Sequence, residues 1–433
     1  MKEQMSNPTV LAPPEGFHQI ESKLDGITVF APIPDSHEEH QRKDYKCPNC
    51  GASTRFDVSI AGVKCEYCGF KIQPKLQKVG TSLPGNAFTL DVFQVDEQGW
   101  GILRRELRCA SCGAELSVTN ENFSHTCPFC ASNEVNIGNE LNPKIRPSLL
   151  APFKITDQQL RQISHEWLGK GWFNPKTLQE LSSLNSFVGI YAPVWAFNSQ
   201  IKAHWNALVG YERQERYYDH GSKSWQTRTH IDWRPESGDV QLAIENLVVL
   251  GSNQISKRLF GNIQTYDLGE LVKYSPDFLA GWQAQKFSIP LNTAWETGKG
   301  IMREKAQEAC QQDIPTSHVR DFQMSADFCD ESWHYALLPV YLSTYRYLGR
   351  TFQVIVNGQN GNISGQKPVE WWKVWLAVAA SLLPGLGLGG VGFIFLFLGG
   401  IGVIPLALGL ILFVIGAIIS VTIVKSAIDS EAD

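Results

Sequence analysis

Eight of the ten cysteines fall into four Cys-x-x-Cys pairs: Cys47/Cys50, Cys65/Cys68, Cys109/Cys112 and Cys127/Cys130. Fourteen residues separate the inner cysteines in both halves of this set. The second half repeats the first at an offset of 62 residues, down to the dipeptides Gly51-Ala52 and Gly113-Ala114, which marks an internal duplication. A Cys-x-x-Cys turn places two sulfurs on one side of a tight loop. Two such knuckles facing each other offer four thiolates to one tetrahedral ion at about 2.3 Å. Gly51, Gly69 and Gly113 let the chain turn back at the knuckle. Between the knuckles, RFDVSIAGVKC alternates like a strand and carries a hairpin glycine at Gly62. This is the pattern of tandem zinc ribbons. It predicts two structural Zn2+ ions, one on Cys47, Cys50, Cys65 and Cys68 and one on Cys109, Cys112, Cys127 and Cys130.

Competing uses of the thiols fit less well. Four disulfides need an oxidising compartment, and the opening MKEQMSNPTVLAPPEGF has neither the apolar core nor the cleavage site of a secretory signal. A thioredoxin-like pair does not recur four times in matched sets without a βαβ setting. Iron in a rubredoxin-like site uses the same four ligands, so spacing alone does not separate it from zinc. With four protein sulfurs per ion no position is left for water or substrate, and such a site supports folding and does not catalyse. Cys310 and Cys329 read as packed thiols. His125 reads as a surface strand position, and neither His37 to His40 (HEEH) nor His165-Glu166 fits a His-Glu-x-x-His metal motif.

The other end of the chain is apolar. From Val374 to Val424 no charged residue occurs, a run too long for one bilayer span of about 20 residues and suited to two helices and a turn. FLFLGGIGVIP supplies the turn, with helices expected near 372–397 and 403–425 and a short acidic tail at 427–433. Trp371, Trp372, Lys373 and Trp375 form an aromatic and basic collar, and Lys425 marks the same side after the return. A two-span protein of the cell membrane follows, with both termini cytoplasmic, where thiols stay reduced. Gly385-x-x-x-Gly389 suits close helix approach, and Pro384 suits a kink.

The 38 basic and 43 acidic side chains leave a formal charge of −5, so no global positive excess points to a polyanion partner. Residues 1–44 are rich in proline and polar residues and are expected to form a disordered arm. Residues 45–74 and 105–140 are the two ribbons, and 145–366 an α+β soluble domain. In that domain ITDQQLRQISHEWLGKGWF has helical spacing after a Thr-Asp start, ended by Gly169 and Gly171. GIYAPVWAFNSQIKAHWNALVGYE is expected as a pair of strands, and TAWETGKGIMREKAQEACQQDI as a helix. A hairpin is expected at Leu348-Gly349-Arg350, with turns at Asn357-Gly358 and Asn360-Gly361. APVWAF and LPVYLS resemble each other, which hints at a second duplication within an antiparallel sheet. No phosphate loop is spelled out: GSKS at Gly221 and TGKG at Thr297 lack its form, and Asp330-Glu331-Ser332-Trp333-His334 matches a helicase acidic box only superficially. No Gly-x-Ser-x-Gly elbow occurs either. The chain therefore reads as non-catalytic. YERQERYY at Tyr211 to Tyr218 reads as a solvated hairpin edge.

The Cys-x-x-Cys ribbons, KIRPSLLAPFKI, WLGKGWFNP, GIYAPVWAF and LPVYLSTYRYLGRTFQVIVNGQNGNISGQKP together resemble the bacterial TFIIB-type zinc-ribbon proteins often labelled primosomal protein N′ (replication factor Y), superfamily II helicase-like. The resemblance covers roughly residues 45 to 370 and is sharpest around Val356-Asn357-Gly358-Gln359, although the ATP-binding motifs implied by the helicase label are absent. It implies a Cys-rich metal-binding module. A membrane-anchored subgroup, similar in architecture, implies envelope-stress assemblies with flotillin-like and phage-shock-type proteins.

Two functions are compatible with these features. One is a membrane-anchored cytosolic adaptor or scaffold whose partners are membrane proteins, membrane-associated scaffolds and the lipid bilayer, with no small-molecule substrate. The other is a nucleic-acid-binding ribbon protein related to replication or transcription factors, in which Arg104, Arg105 and Arg108 meet phosphates.

Overall fold

The computed structural model describes residues 17–20, 29–32, 47–52, 54–74, 78–79, 85–87, 105–118, 127–130, 132, 135–140, 145–175, 177–178, 187–221, 223–399 and 402–431. Two compact units result, Met1–Lys43 and Asp44–Asp433. In the first, β1 (Phe17–Ile20) and β2 (Val29–Pro32) pair antiparallel, Phe17 opposite Pro32. Within the arm expected to be disordered, FHQI and VFAP carry the aromatic and β-branched residues that favour pairing. The remainder of that arm lies outside the described residues.

The second unit opens with a three-stranded sheet, β3 (Thr54–Asp57), β4 (Gly62–Cys65) and β5 (Lys71–Ile72). After β6 (Asn86–Ala87) come β7 (Arg105–Cys109), β8 (Glu115–Val118) and β9 (Val135–Glu140), with β7 between its two neighbours. Next are β10 (Leu149–Leu150) and α1 (Asp157–Leu168). The expected cap of α1 is present. The Thr156 hydroxyl accepts from the Gln159 N–H while Gln159 reaches back to the Thr156 N–H at 2.9 Å, a reciprocal capping box.

Three very long strands make the body. β11 (Val188–Asp219) and β12 (Ser224–Leu250) form a hairpin, and β15 (Val319–Tyr347) lies antiparallel on the other side of β11. Between them come α2 (Lys257–Ile263), β13 (Val272–Lys273), β14 (Gln283–Ala284) and α3 (Leu291–Asp313), and β15 is followed by β16 (Arg350–Asn357) and β17 (Ile363–Gly365). The segment expected as two strands is thus one strand of 32 residues. No turn interrupts it, because the irregularity at Asn198 is absorbed as a bulge: the Asn198 side chain accepts from the Asn246 N–H at 2.6 Å and donates to the Ser332 hydroxyl at 3.1 Å. APVWAF and LPVYL meet across the β11–β15 ladder, Ala192 opposite Leu338 and Pro193 opposite Leu337. Their proline carbonyls accept matching bonds, Pro193 from the Gly251 N–H at 2.8 Å and Pro339 from the Gly358 N–H at 2.9 Å.

Side chains alternate along these strands, so the sheet carries a core on each face. Tyr191, Trp195, Phe197 and Tyr335 lie in one cluster, with α1 and α3 packed over it. Ile190, Ala192, Val194 and Leu338 lie in the other, covered by α2. Phe56 and Val63 from the first cysteine module belong to the first cluster, whereas Leu107, Leu116 and Phe129 from the second belong to the other. The modules are therefore built into opposite faces of one sheet and are not separate beads on the chain. β14 completes the second junction, pairing parallel with β11 and antiparallel with β8 at Ala284 and Ser117.

The chain ends in α4 (Trp371–Gly399) and α5 (Val403–Glu431), two helices long and apolar enough to cross a membrane. Their polarity is inside-out. Leu383, Leu386, Phe393, Ile404, Leu410 and Val421 are exposed, while glycines face the seam. A Cβ at Gly385 would strike Phe413, one at Gly409 would strike Gly389, and one at Gly416 would strike the Ser381 carbonyl. The Ser381 and Ser420 hydroxyls bond across at 2.8 Å. Gly385-x-x-x-Gly389 thus serves contact within the hairpin.

Candidate metal centres

Each knuckle closes by the same backbone geometry. The Cys47 N–H donates to the Ala52 carbonyl at 2.6 Å, and the Gly51 N–H returns to the Cys47 carbonyl at 2.8 Å. Cys65 with Phe70 (2.8 Å) and Cys109 with Ala114 (2.9 Å) repeat the first bond, Gly69 (3.0 Å) and Gly113 (3.0 Å) the second, and Cys127 donates to Ser132 at 2.8 Å. Gly51, Gly69 and Gly113 hold φ of +75°, +73° and +71°, the left-handed region in which a side chain is strained.

The hairpin between knuckles then brings the sulfurs together. In the first module Cys47 and Cys68 lie 3.4 Å apart and Cys50 and Cys65 3.6 Å. In the second, Cys109 and Cys130 lie 3.6 Å apart and Cys112 and Cys127 3.7 Å. All four sulfurs of each set fall within 4.8 Å of one another. A disulfide holds its sulfurs at about 2.0 Å, so these are not disulfide pairs. Ligands at about 2.3 Å from a tetrahedral centre stand about 3.8 Å from each other, close to what is seen. Two cysteine tetrads, each able to bind one metal ion, are therefore present at the eight residues singled out in the sequence.

The thiols perturb one another. The Phe70 N–H leads in holding Cys68 down at about 6. At Cys50 the Ala52 N–H pulls downward, but burial and the other three sulfurs outweigh it and push the thiol up to about 12. At Cys109 burial acts upward, yet the Cys112 and Ser111 N–H groups prevail and the thiol sits at about 7. Burial raises Cys112 to about 11 and drives Cys127 higher still. Four sulfurs at contact cannot all carry charge without a cation among them.

Residues distant in sequence hold the tetrads in place, and no motif advertised them. The Phe56 N–H donates to the Ala280 carbonyl at 3.0 Å, its ring meets Phe278 at 5.3 Å, and Arg55 lies 5.3 Å over the Trp282 ring. For the second module, Lys286 bridges Glu106 and Glu115, each at 3.0 Å. The Thr344 hydroxyl donates to the Pro128 carbonyl at 2.7 Å, and Gln353 donates to the Phe129 carbonyl at 2.7 Å. A single stretch, residues 278–286, thus touches both modules.

Other expected positions are placed as follows. Cys310 is fully buried on the inner face of α3, and Cys329 is half-buried on β15. Thr297 to Gly300 lies inside α3 and Asp330 to His334 inside β15, so neither forms a loop around phosphate. Arg105 and Arg108 are exposed on β7, whereas Arg104 and His125 lie outside the described residues.

The fold and site define a mixed helix-and-sheet protein with two cysteine tetrads and a C-terminal pair of apolar helices. No protein-family model and no solved structure matches the chain. It is similar to the uncharacterized protein YdjG of Bacillus subtilis (strain 168), 26% identical over 339 residues that span 76% of this chain and 91% of YdjG.

Proposed function

We propose that the protein is a membrane-anchored, non-catalytic adaptor of the cytoplasmic face, in which two zinc ions fix ribbon modules on the two sides of a β-sheet scaffold. The observation that carries this reading is the composition of the tetrads. Each has four sulfurs in mutual contact, so an ion held there is saturated by protein and supports folding. The apolar hairpin with its Trp372, Lys373 and Trp375 collar supports anchoring, with both ends of the hairpin on the side where thiols remain reduced. Partners of this kind of surface are membrane proteins or membrane-bound scaffolds. The resemblance to the membrane-anchored ribbon subgroup favours an envelope-stress assembly with flotillin-like or phage-shock-type proteins.

Crosslinking in native membranes followed by mass spectrometry tests the proposal. Recurrent crosslinks from the 45–366 region to membrane-associated proteins are expected. Recovery of the chain in the soluble fraction, or repeated absence of any partner, would overturn it.

A further inference from the structure

We infer that the soluble domain is seated on the bilayer through a second, non-spanning contact, the corner at Lys170 to Asn174, with Trp172 entering the interfacial layer of lipid headgroups. The inference rests on the reading of α4 and α5 as a membrane hairpin. It adds that the domain is not free to swing on that anchor.

The corner follows α1 and is tied to the base of the hairpin. The Glu370 N–H donates to the Phe173 carbonyl at 2.8 Å, and Lys373 donates to the Asn174 carbonyl at 3.1 Å. Phe173 packs against Val369, Val374 and Ala427, at the point where both helices leave their apolar run. Its neighbour Trp172 turns outward with 64% of its surface exposed, close to the 63% of Trp372 and 60% of Trp375 on the first two turns of α4. Three exposed indoles from two segments therefore stand around one helix base, with Lys170 and Lys373 among them. An indole exposed in water leaves a large apolar surface wet, whereas the headgroup layer accepts both its ring and its N–H. Continuity with the α4 collar selects a lipid surface over a protein groove as the occupant.

The joint behind the corner is stiff. Lys367, buried beneath it, donates to the Trp167 carbonyl at 2.5 Å, near the end of α1, and to the Lys170 carbonyl at 2.7 Å, just past its cap, and lies 4.0 Å over the Trp167 ring. The Lys367 N–H donates to the Ser430 carbonyl at 2.8 Å, and Glu431 accepts from the Val369 N–H at 2.9 Å and pairs with Arg350 at 3.0 Å. α1, the segment 366–370 that precedes α4, and the end of α5 are thereby held as one piece.

The test places a benzophenone side chain at position 172, 375 or 225 of the full-length protein in native membranes, followed by irradiation and mass spectrometry of the adducts. Trp225 is as exposed as Trp172, at 66%, but lies at the far end of β12. Phospholipid adducts are expected at 172 and 375 and none at 225. Adducts at 375 without any at 172 would overturn the seated corner while leaving the membrane hairpin intact. Loss of lipid adducts at 375 as well would remove the membrane reading itself. As a second readout, Trp172→Glu should increase amide exchange across 168–175 in vesicles containing anionic lipid. An unchanged rate would count against the contact.

Discussion

Lys367 shows how one side chain can bind two parts of the chain and still strain the fold. Burial pushes its ammonium down to about 8 from an ordinary 10.5, and the like charge of Lys170 acts in the same direction. The unfolded chain therefore binds more protons than the folded one between roughly pH 8 and 10.5, and the contribution of this group to stability rises with pH across that window. Thermal unfolding in detergent at stepped pH should show wild type gaining on Lys367→Met as pH rises. A gap that narrows instead would refute this account of the site. Among the cysteines, position matters as much as chemistry. Cys50 is exposed, whereas Cys127 begins the knuckle that Thr344 and Gln353 fasten to β15 and β16. If each tetrad holds one metal ion, as proposed, both Cys50→Ser and Cys127→Ser should halve the bound metal found by elemental analysis. Cys127→Ser should lower the melting temperature of the domain much further than Cys50→Ser.

The helices and strands were unequally legible beforehand. The tetrads, α1 with its Thr156 cap, α3, the β15–β16 hairpin and the two apolar helices all follow from local signals: spacing, capping residues, turn dipeptides and uncharged length. What escaped the sequence is set by contacts between residues from 48 to 224 positions apart. Nothing near Cys109 or Cys127 announces Lys286 or Gln353, and nothing around Asn198 says that a strand will run on through a bulge stitched by Asn246 and Ser332. The apolar helices also show which pattern carried specific information. Their interface is lined by glycine and serine, so Gly409→Val must displace the Gly389 backbone and should cost about 1–3 kcal/mol, read as loss of thermal stability in detergent. Gly387→Ala, with open space around its added methyl, serves as the matched control and should be silent.

The larger unit, Asp44–Asp433, is graded from a firmly fastened base to an open end. β11 alone has a path of about 100 Å at the usual rise per strand residue. Its last ten positions pair with β12 but lie beyond the start of β15, which reaches only Val209. That two-stranded stretch, with Tyr217, Tyr218 and Trp225 exposed, has no core of its own. Amide exchange should be fastest there. Replacing residues 213–230 by an Asn-Gly turn should leave the melting temperature and metal content unchanged, and a marked fall in either would show that the tip supports the body. Phe56→Ala or Leu107→Ala should by contrast weaken the entire domain, by about 2–5 kcal/mol, because each module shares its core with the sheet. The placement of the duplicated modules limits how any visitor can read them. The first copy packs onto one face of the sheet, whereas the second lengthens the sheet through β14 and shares the core of the other face. Copies alike in sequence therefore meet a visitor differently, one as a module laid on the sheet and the other as part of it.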